Sequence, residues 1–522
     1  MARTRAVRLL TVAGAVLGLA TAVPAAKAEV GVGIGDTDQG AGAGLVAPDV
    51  APSAAPKRAG AVFHPPFWAH GHGRPDYQPG DPGVGDPYFP LEGNGGYDTQ
   101  HYDLTFSYDP ATDRLEGLAV ITARATQDLS RFDLDLQQLD VDSVTVDLQR
   151  ASFNRDGQEL QITPRHGIRE GRTFIVTVRY GGVPQTIVGS PIVFGSPYGF
   201  LHTDDGAFMG DEPNVASTWF PVSDHPQDKA KYTFRVSVPK GLGVVANGAL
   251  KYHLDIGNHS LWVWDEPLPM AFYLVTADIG HWNVRQGRTP GGIPEYVAVD
   301  PTLPDFGAQS ATDFFYETSA KAADLWVQKF GPYPFDVVGA IADNATYNGQ
   351  PLGFSLETQT KPVYSAVRST STIAHELAHQ WFGDSVSVKT WDNIWLNEGF
   401  ATFSQYVWDE ETGVRSAHDS FLADYARPAT NTAFWDIIVA DPQRDTMFAS
   451  AVYRRGGMTL QALREKIGDD AFFRILKTWT AKYRYGNATT ENFIDLSEQI
   501  SHQDLQHFFD IWLYTAGKPT SW

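Results

Sequence analysis

A chain of 522 residues with 43% apolar content, 14 Trp, 21 Tyr and 30 Phe carries more core-forming material than one ordinary domain uses, so two or more domains are expected. Its formal net charge of −21 argues against nucleic acid as a partner and against a basic membrane-surface patch. Cysteine is absent, which removes disulfides, thiol nucleophiles and Cys-type zinc sites from consideration.

Residues 1–28 read as an export signal. Arg3, Arg5 and Arg8 form a basic start, residues 9–23 are largely apolar, and Ala26-Lys27-Ala28 offers a small-residue cleavage site before Glu29. The apolar run is short for a spanning helix, so a secreted, extracellular protein with no lasting membrane insertion is expected. Residues 29–84, rich in Gly, Ala and Pro, read as a disordered tether. Its His64, His70 and His72 have no ordered scaffold to gather them and are incidental in this reading.

Residues 85–285 alternate apolar and polar positions over short runs, as in Tyr102-Asp103-Leu104-Thr105-Phe106 and Phe174-Ile175-Val176-Thr177-Val178. Turn residues such as Asn154-Arg155-Asp156-Gly157 separate them, which predicts an antiparallel β-rich domain. In residues 286–522 helical signals dominate. Ser369–Ser371 offers an N-cap for a helix carrying Ile373, Leu377 and Trp381, closed by Gly383. A second helix is expected from near Trp391, with Ile394, Trp395, Phe400 and Phe403 as its buried stripe. Further helices are expected over about 455–466 and 470–484, with amphipathic segments near 491–500 and 503–515.

The first two of these helices carry the chemistry. In His375-Glu376-Leu377-Ala378-His379 the two histidines lie one turn apart on one helix face, a spacing that lets both imidazoles meet one Zn²⁺. Glu376 sits beside that metal without ligating it, where a general base must stand to take a proton from water. Glu398, after eighteen intervening residues, is the candidate third ligand.

This pattern, with Glu398 inside Trp395-Leu396-Asn397-Glu398-Gly399-Phe400-Ala401, resembles the aminopeptidase N family of gluzincin zinc metallopeptidases. A metzincin would need glycine and histidine where this chain has Phe382 and Ser385. The resemblance runs over about residues 95–519 and implies an α+β multidomain fold, with a saddle-like N-terminal β domain followed by a thermolysin-like, mainly helical catalytic domain. It also implies that the chain ends where the catalytic domain ends, without the C-terminal helical domain of larger members.

Three more residues gain roles from the resemblance. Tyr453, in Val452-Tyr453-Arg454-Arg455-Gly456, is similar to the tyrosine that stabilises the transition state, as a phenol donor to a developing oxyanion can. Glu357 resembles the glutamate of the family's Gly-Ala-Met-Glu-Asn segment, which binds the substrate's α-amine. Only that glutamate is kept, with Phe354 in the glycine place and Thr358 in the asparagine place. Glu212, with Asp211 as its neighbouring rival, stands where the family has a second amine-binding residue.

The expectation is therefore a secreted zinc aminopeptidase, with one Zn²⁺ per chain held by His375, His379 and Glu398. Glu376 and Tyr453 are its catalytic groups, Glu357 and Glu212 its amine-binding groups, and peptides with a free N-terminus its substrates. A monomer is favoured. An endopeptidase or epoxide hydrolase on the same scaffold is the alternative, and a non-catalytic binding module is disfavoured because ligands, base and tyrosine are all present.

Overall fold

The computed structural model describes residues 76–522; the expected export signal and nearly all of the tether, with its three histidines, lie outside the described residues. Packed chain begins earlier than residue 85. Gln78–Pro79 pairs in parallel with Leu129–Asp135, so residues 76–84 join the β-rich domain rather than the tether. Gly80 lies so close to Gly95 that an added Cβ would meet its carbonyl oxygen at 2.4 Å, an approach that composition alone does not distinguish from a linker glycine.

The alternating runs become strands whose period of two puts one face inward. Tyr97–Asp109 is the clearest, with Tyr102, Leu104, Phe106 and Tyr108 all buried. It lies inside an eight-stranded sheet of spatial order Ala249–Ile256, His259–Met270, Ala230–Pro239, Tyr97–Asp109, Arg114–Ala125, Thr173–Gly182, Asp140–Val146 and Gln149–Arg150. All but one of its pairings are antiparallel. The exception is Ala230–Pro239, which runs parallel to Tyr97–Asp109 with Tyr232 opposite Tyr102. That register stacks the two rings at 5.0 Å, and Trp219 and Phe220 (4.5 Å apart) fill the space against them. A four-stranded sheet and a five-stranded sheet complete the domain.

The catalytic part opens with a sheet that the sequence reading did not foresee. Its order is Asn283–Arg288, Pro294–Val299, Val338–Ala342, Val363–Tyr364, Ser355–Leu356. Val338–Ala342 is buried at every position because it pairs in parallel on both sides and is covered by helix α1 (Ala311–Phe330). Such a run has no alternation to mark it as a strand. Then come α2 (Thr370–Ala378), α3 (Trp395–Glu411), α4 (Ala417–Tyr425), α5 (Ser450–Ile467), α6 (Asp469–Lys482) and α7 (Thr490–Ser501). Ser369 caps α2 by accepting the Thr372 N–H at 3.1 Å, as expected of its hydroxyl.

Buried polar contacts lock the β-rich and catalytic parts together. Asp86 accepts the Trp391 N–H at 2.8 Å and meets His225 Nε2 at 3.1 Å. Lys229 donates to the Asp384 and Ser385 carbonyls just beyond α2, at 2.7 and 3.1 Å. Asn247 donates to the Gln359 carbonyl at 2.8 Å, two residues past Glu357. These bonds fix how the loop carrying Glu212 faces the strand leading to Glu357.

Candidate active site

On α2 the rings of His375 and His379 lie 4.9 Å apart, and both Nε2 atoms face one oxygen of Glu398. His375 Nε2 is 3.3 Å and His379 Nε2 3.6 Å from Glu398 Oε2. Ligands at about 2.0–2.1 Å from a tetrahedral ion stand roughly 3.3–3.4 Å from one another, so the three atoms are spaced to hold Zn²⁺. Glu398 Oε2 is buried and has no hydrogen-bond partner among the described residues, a costly arrangement that a cation removes. His379 Nδ1 lies 3.0 Å from the Phe382 carbonyl; donating there leaves Nε2 unprotonated and free to ligate. Burial alone would raise the Glu398 carboxyl, but the two imidazoles outweigh it and hold it down at about 2.

Local structure explains why these groups converge. Gly383, at φ 129°, turns the chain after α2 and makes room for Asn397; a Cβ there would lie 3.3 Å from the Asn397 amide. On the other side, Gly399 of α3 meets Gly456 of α5 back to back, and a Cβ on Gly456 would lie 2.8 Å from the Gly399 Cα. The contact places Glu398 and Tyr453, each within a turn of its glycine, on facing helices. Tyr453 is parallel to the His375 ring at 6.2 Å. Burial, with Glu398 and Glu212 nearby, raises its phenol well above the usual range, so it stays a donor. Arg455, wholly buried, donates to the carbonyls of Trp435, Ile511, Trp512 and Thr515 and ties the start of α5 to the C-terminal segment.

Glu376 is buried beside the two histidines. Burial pushes its carboxyl up to about 7, with His375 and His379 pulling the other way. Glu357 Oε1 lies 3.8 Å from His379 Nδ1, on the side of the cluster away from the start of α2. Glu212, two residues past the strand Ala207–Gly210, is raised first by burial and next by Glu357. Glu212 Oε1 and Glu357 Oε1 are both buried without hydrogen-bond partners among the described residues. Asp211 faces elsewhere: its carboxylate accepts the Trp219 indole N–H at 2.9 Å. Thr358, in the asparagine place, turns its hydroxyl onto the Lys361 carbonyl at 2.6 Å.

The structure also places residues near the site that the motif reading did not single out for it. Tyr273, from the β-rich part, accepts from the Asn397 amide at 3.3 Å. Arg368 stands just before the α2 N-cap with Glu376 as the charge it faces. A cavity of about 470 Å³ opens beside Tyr453 and is lined also by Phe194, Thr402, Gln405, Phe448 and Arg454. Glu398, Thr402 and Gln405 follow helical spacing on α3, so two residues of the cavity wall share the helix face of Glu398.

The Peptidase M1 N-terminal domain matches residues 98–274 and the Peptidase family M1 domain residues 345–512. Aminopeptidase N of Lactococcus lactis subsp. cremoris (strain MG1363) is 25% identical over 442 residues, covering 80% of this chain and 51% of that protein. Leucyl aminopeptidase of Saccharolobus solfataricus is 28% identical over 334 residues, covering 59% and 41%. The chain thus spans about half the length of the curated relatives it matches, or less. An M1 zinc metallopeptidase from Deinococcus radiodurans, solved as a mutant bound to a Tyr-Ser-Ala substrate, is similar with a TM-score of 0.76 at 25% identity, covering 84% of this chain and 98% of that one.

Proposed function

The chain belongs to the M1 family of zinc metallopeptidases, and on that footing we propose that it is an aminopeptidase, hydrolysing the first peptide bond of peptides with a free N-terminus. The observation that carries this reading is the pair Glu212 and Glu357, each with a buried carboxylate oxygen that has no hydrogen-bond partner among the described residues, beside the metal cluster. Two like charges in one dry pocket invite a cation, and a substrate ammonium supplies it through charge-assisted bonds.

His375, His379 and Glu398 would hold Zn²⁺, which when bound acts as a Lewis acid on the scissile carbonyl and lowers the pKa of water. Glu376 takes the proton of the attacking water and returns it to the leaving amine; its burial suits it to accept and release a proton near neutral pH. Tyr453 donates its hydroxyl to the oxyanion as the carbonyl becomes tetrahedral. Glu357 and Glu212 fix the amine, and a substrate held by its amine beside the metal presents its first peptide bond for cleavage. Expected: N-acetylation of a cleaved peptide abolishes turnover. Equal cleavage of blocked and free peptides overturns the aminopeptidase assignment.

Export belongs to the same reading and is supported by the basic, apolar and small-residue pattern of residues 1–28. Among the described residues no helix is long and apolar enough to cross a membrane. Protein recovered from medium should begin at Glu29; an intact Met1 there would contradict processing.

A further inference from the structure

Phe194 is an apolar ring left in the open. It is 69% exposed, although Ile192, two residues before it, is buried. Its backbone lies in the left-handed region at φ 54°, which a bulky side chain seldom adopts. The ring stands on the loop joining the paired strands Thr186–Ile187 and Tyr198–His202 of the β-rich part. Three backbone bonds hold the tip of that loop. The Phe194 N–H donates to the Pro191 carbonyl at 3.1 Å, Gly195 to Ser190 at 2.8 Å and Ser196 to Val193 at 3.0 Å. Strain of this kind persists where surrounding contacts impose it, and it gathers at ligand sites.

The ring forms one wall of the cavity of about 470 Å³ beside Tyr453. Phe448, Thr402, Gln405 and Arg454 contribute other walls. The cation among them is already answered: Arg454 Nη1 donates to both oxygens of Asp424 at 3.2 Å, and Asp424 is not part of the wall. What the cavity offers is three aromatic side chains and neutral polar groups, the chemistry that receives an aromatic side chain.

Two contacts place this cavity against the metal cluster. Gln405 Nε2 donates to the Ser371 carbonyl and hydroxyl, both at 3.3 Å, in the first turn of α2. Glu357 Oε1 lies 3.8 Å from Nδ1 of His379, which follows the last residue of α2. About 12 Å of helix separates Ser371 from His379. His375 lies midway between them, with its ring parallel to Tyr453 at 6.2 Å. The cavity wall and the amine-binding carboxylate therefore meet opposite ends of α2, with the metal-binding pair reaching inward from between. A peptide with its amine at Glu357 and its first carbonyl at the cluster sends the next residue towards the cavity.

We propose that Phe194 is a specificity-determining residue which, with Phe448 and Tyr453, makes the protein favour an aromatic side chain on the residue that follows the cut bond. This rests on the aminopeptidase reading above.

The test measures kcat/KM for leucine release from the amides of Leu-Phe and Leu-Ala, which share the amine and the cut bond and differ only beyond it. The wild-type protein is expected to favour Leu-Phe amide by about tenfold or more, the order that burying one ring supplies. Phe194→Gly suits the left-handed backbone and removes the ring, and the ratio should fall about threefold or more. In Phe194→Leu, which keeps an apolar group without the ring, it should fall part of the way. The ratio between Phe-Ala and Leu-Ala amides, which differ only before the cut bond, should be the same in all three proteins. Thermal unfolding of each variant reports folding separately. A wild-type ratio of Leu-Phe to Leu-Ala near one overturns the proposal, whatever the variants do. A ratio unchanged in folded Phe194→Gly also overturns it, as does a shift confined to the Phe-Ala and Leu-Ala pair, which would put the cavity on the amine side. Equal cleavage of Leu-Phe amide with and without N-acetylation marks failure of the aminopeptidase reading itself.

Discussion

As the proposed base, Glu376 has two opposed demands: it must be a carboxylate to take a proton and must then hold that proton long enough to return it. Burial favours the protonated form and the neighbouring His375 and His379 the ionised one, and the balance leaves it raised to about 7. Glu376→Gln keeps the volume and removes the base. The expected outcome is normal zinc content by metal analysis and a fall in kcat of about 10²–10⁴-fold; retained turnover would remove Glu376 from the proton path. At this scale much of the site was legible. His375, His379 and Glu398 follow from helical spacing and a fixed chain offset, both local properties. Arg368 was not, because its facing of Glu376 is a matter of tertiary placement, which a sequence does not record. The choice between Asp211 and Glu212 was likewise open until the Trp219 indole was seen to occupy Asp211.

The elements carry the site by how closely they approach. Glycines at 399 and 456 let α3 and α5 touch backbone to backbone, and the separation of Glu398 from Tyr453 follows from that contact. Gly456→Ala adds a methyl to a space of 2.8 Å against backbone that cannot swing away. The helices must part, at a cost of about 1–3 kcal/mol in stability. A lower unfolding midpoint together with a lower kcat is expected; unchanged melting and kinetics would show that the contact does not set the site. Helix existence here was readable from periodicity, boundaries less so. α5 begins at Ser450 rather than near 455 because its N-cap, Ala449, makes no side-chain cap that could announce the start. The strand Val338–Ala342 escaped notice for the opposite reason, being apolar throughout.

The whole molecule buries many ionisable groups, and their sum sets its response to pH. Burial raises Glu295 to about 8, Glu159 to about 8 and Asp278 to about 7. In each case the folded protein keeps a proton that the unfolded chain, with carboxyls near 4, has lost. Their stabilisation is complete below about pH 4 and drains away as pH rises to about 8. Lys229 and Lys361, pushed down by burial to about 7, act in the other sense, but their contribution to stability recovers only above pH 7. The unfolding midpoint should therefore fall between pH 5 and pH 8. Both oxygens of Glu295 are buried without hydrogen-bond partners among the described residues, so Glu295→Gln loses little by neutralisation. It should raise the midpoint at pH 8 more than at pH 5, and an equal change at both values would refute the assignment.

The zinc-binding pattern, the glutamate within it and the broad order of a β-rich part before a helical part were present in the sequence alone. The reason is physical: helix spacing and strand alternation are repeated at short range, so a linear string displays them. The pairing of Glu212 with Glu357, the wall that Tyr453 presents to His375, and the facing of Arg368 to Glu376 were decided only by tertiary structure. Each depends on surfaces distant in the chain being pressed together, through the Asp86, Lys229 and Asn247 contacts and the glycine crossing of α3 with α5. Packing across such distances leaves no period in the sequence by which it could be read.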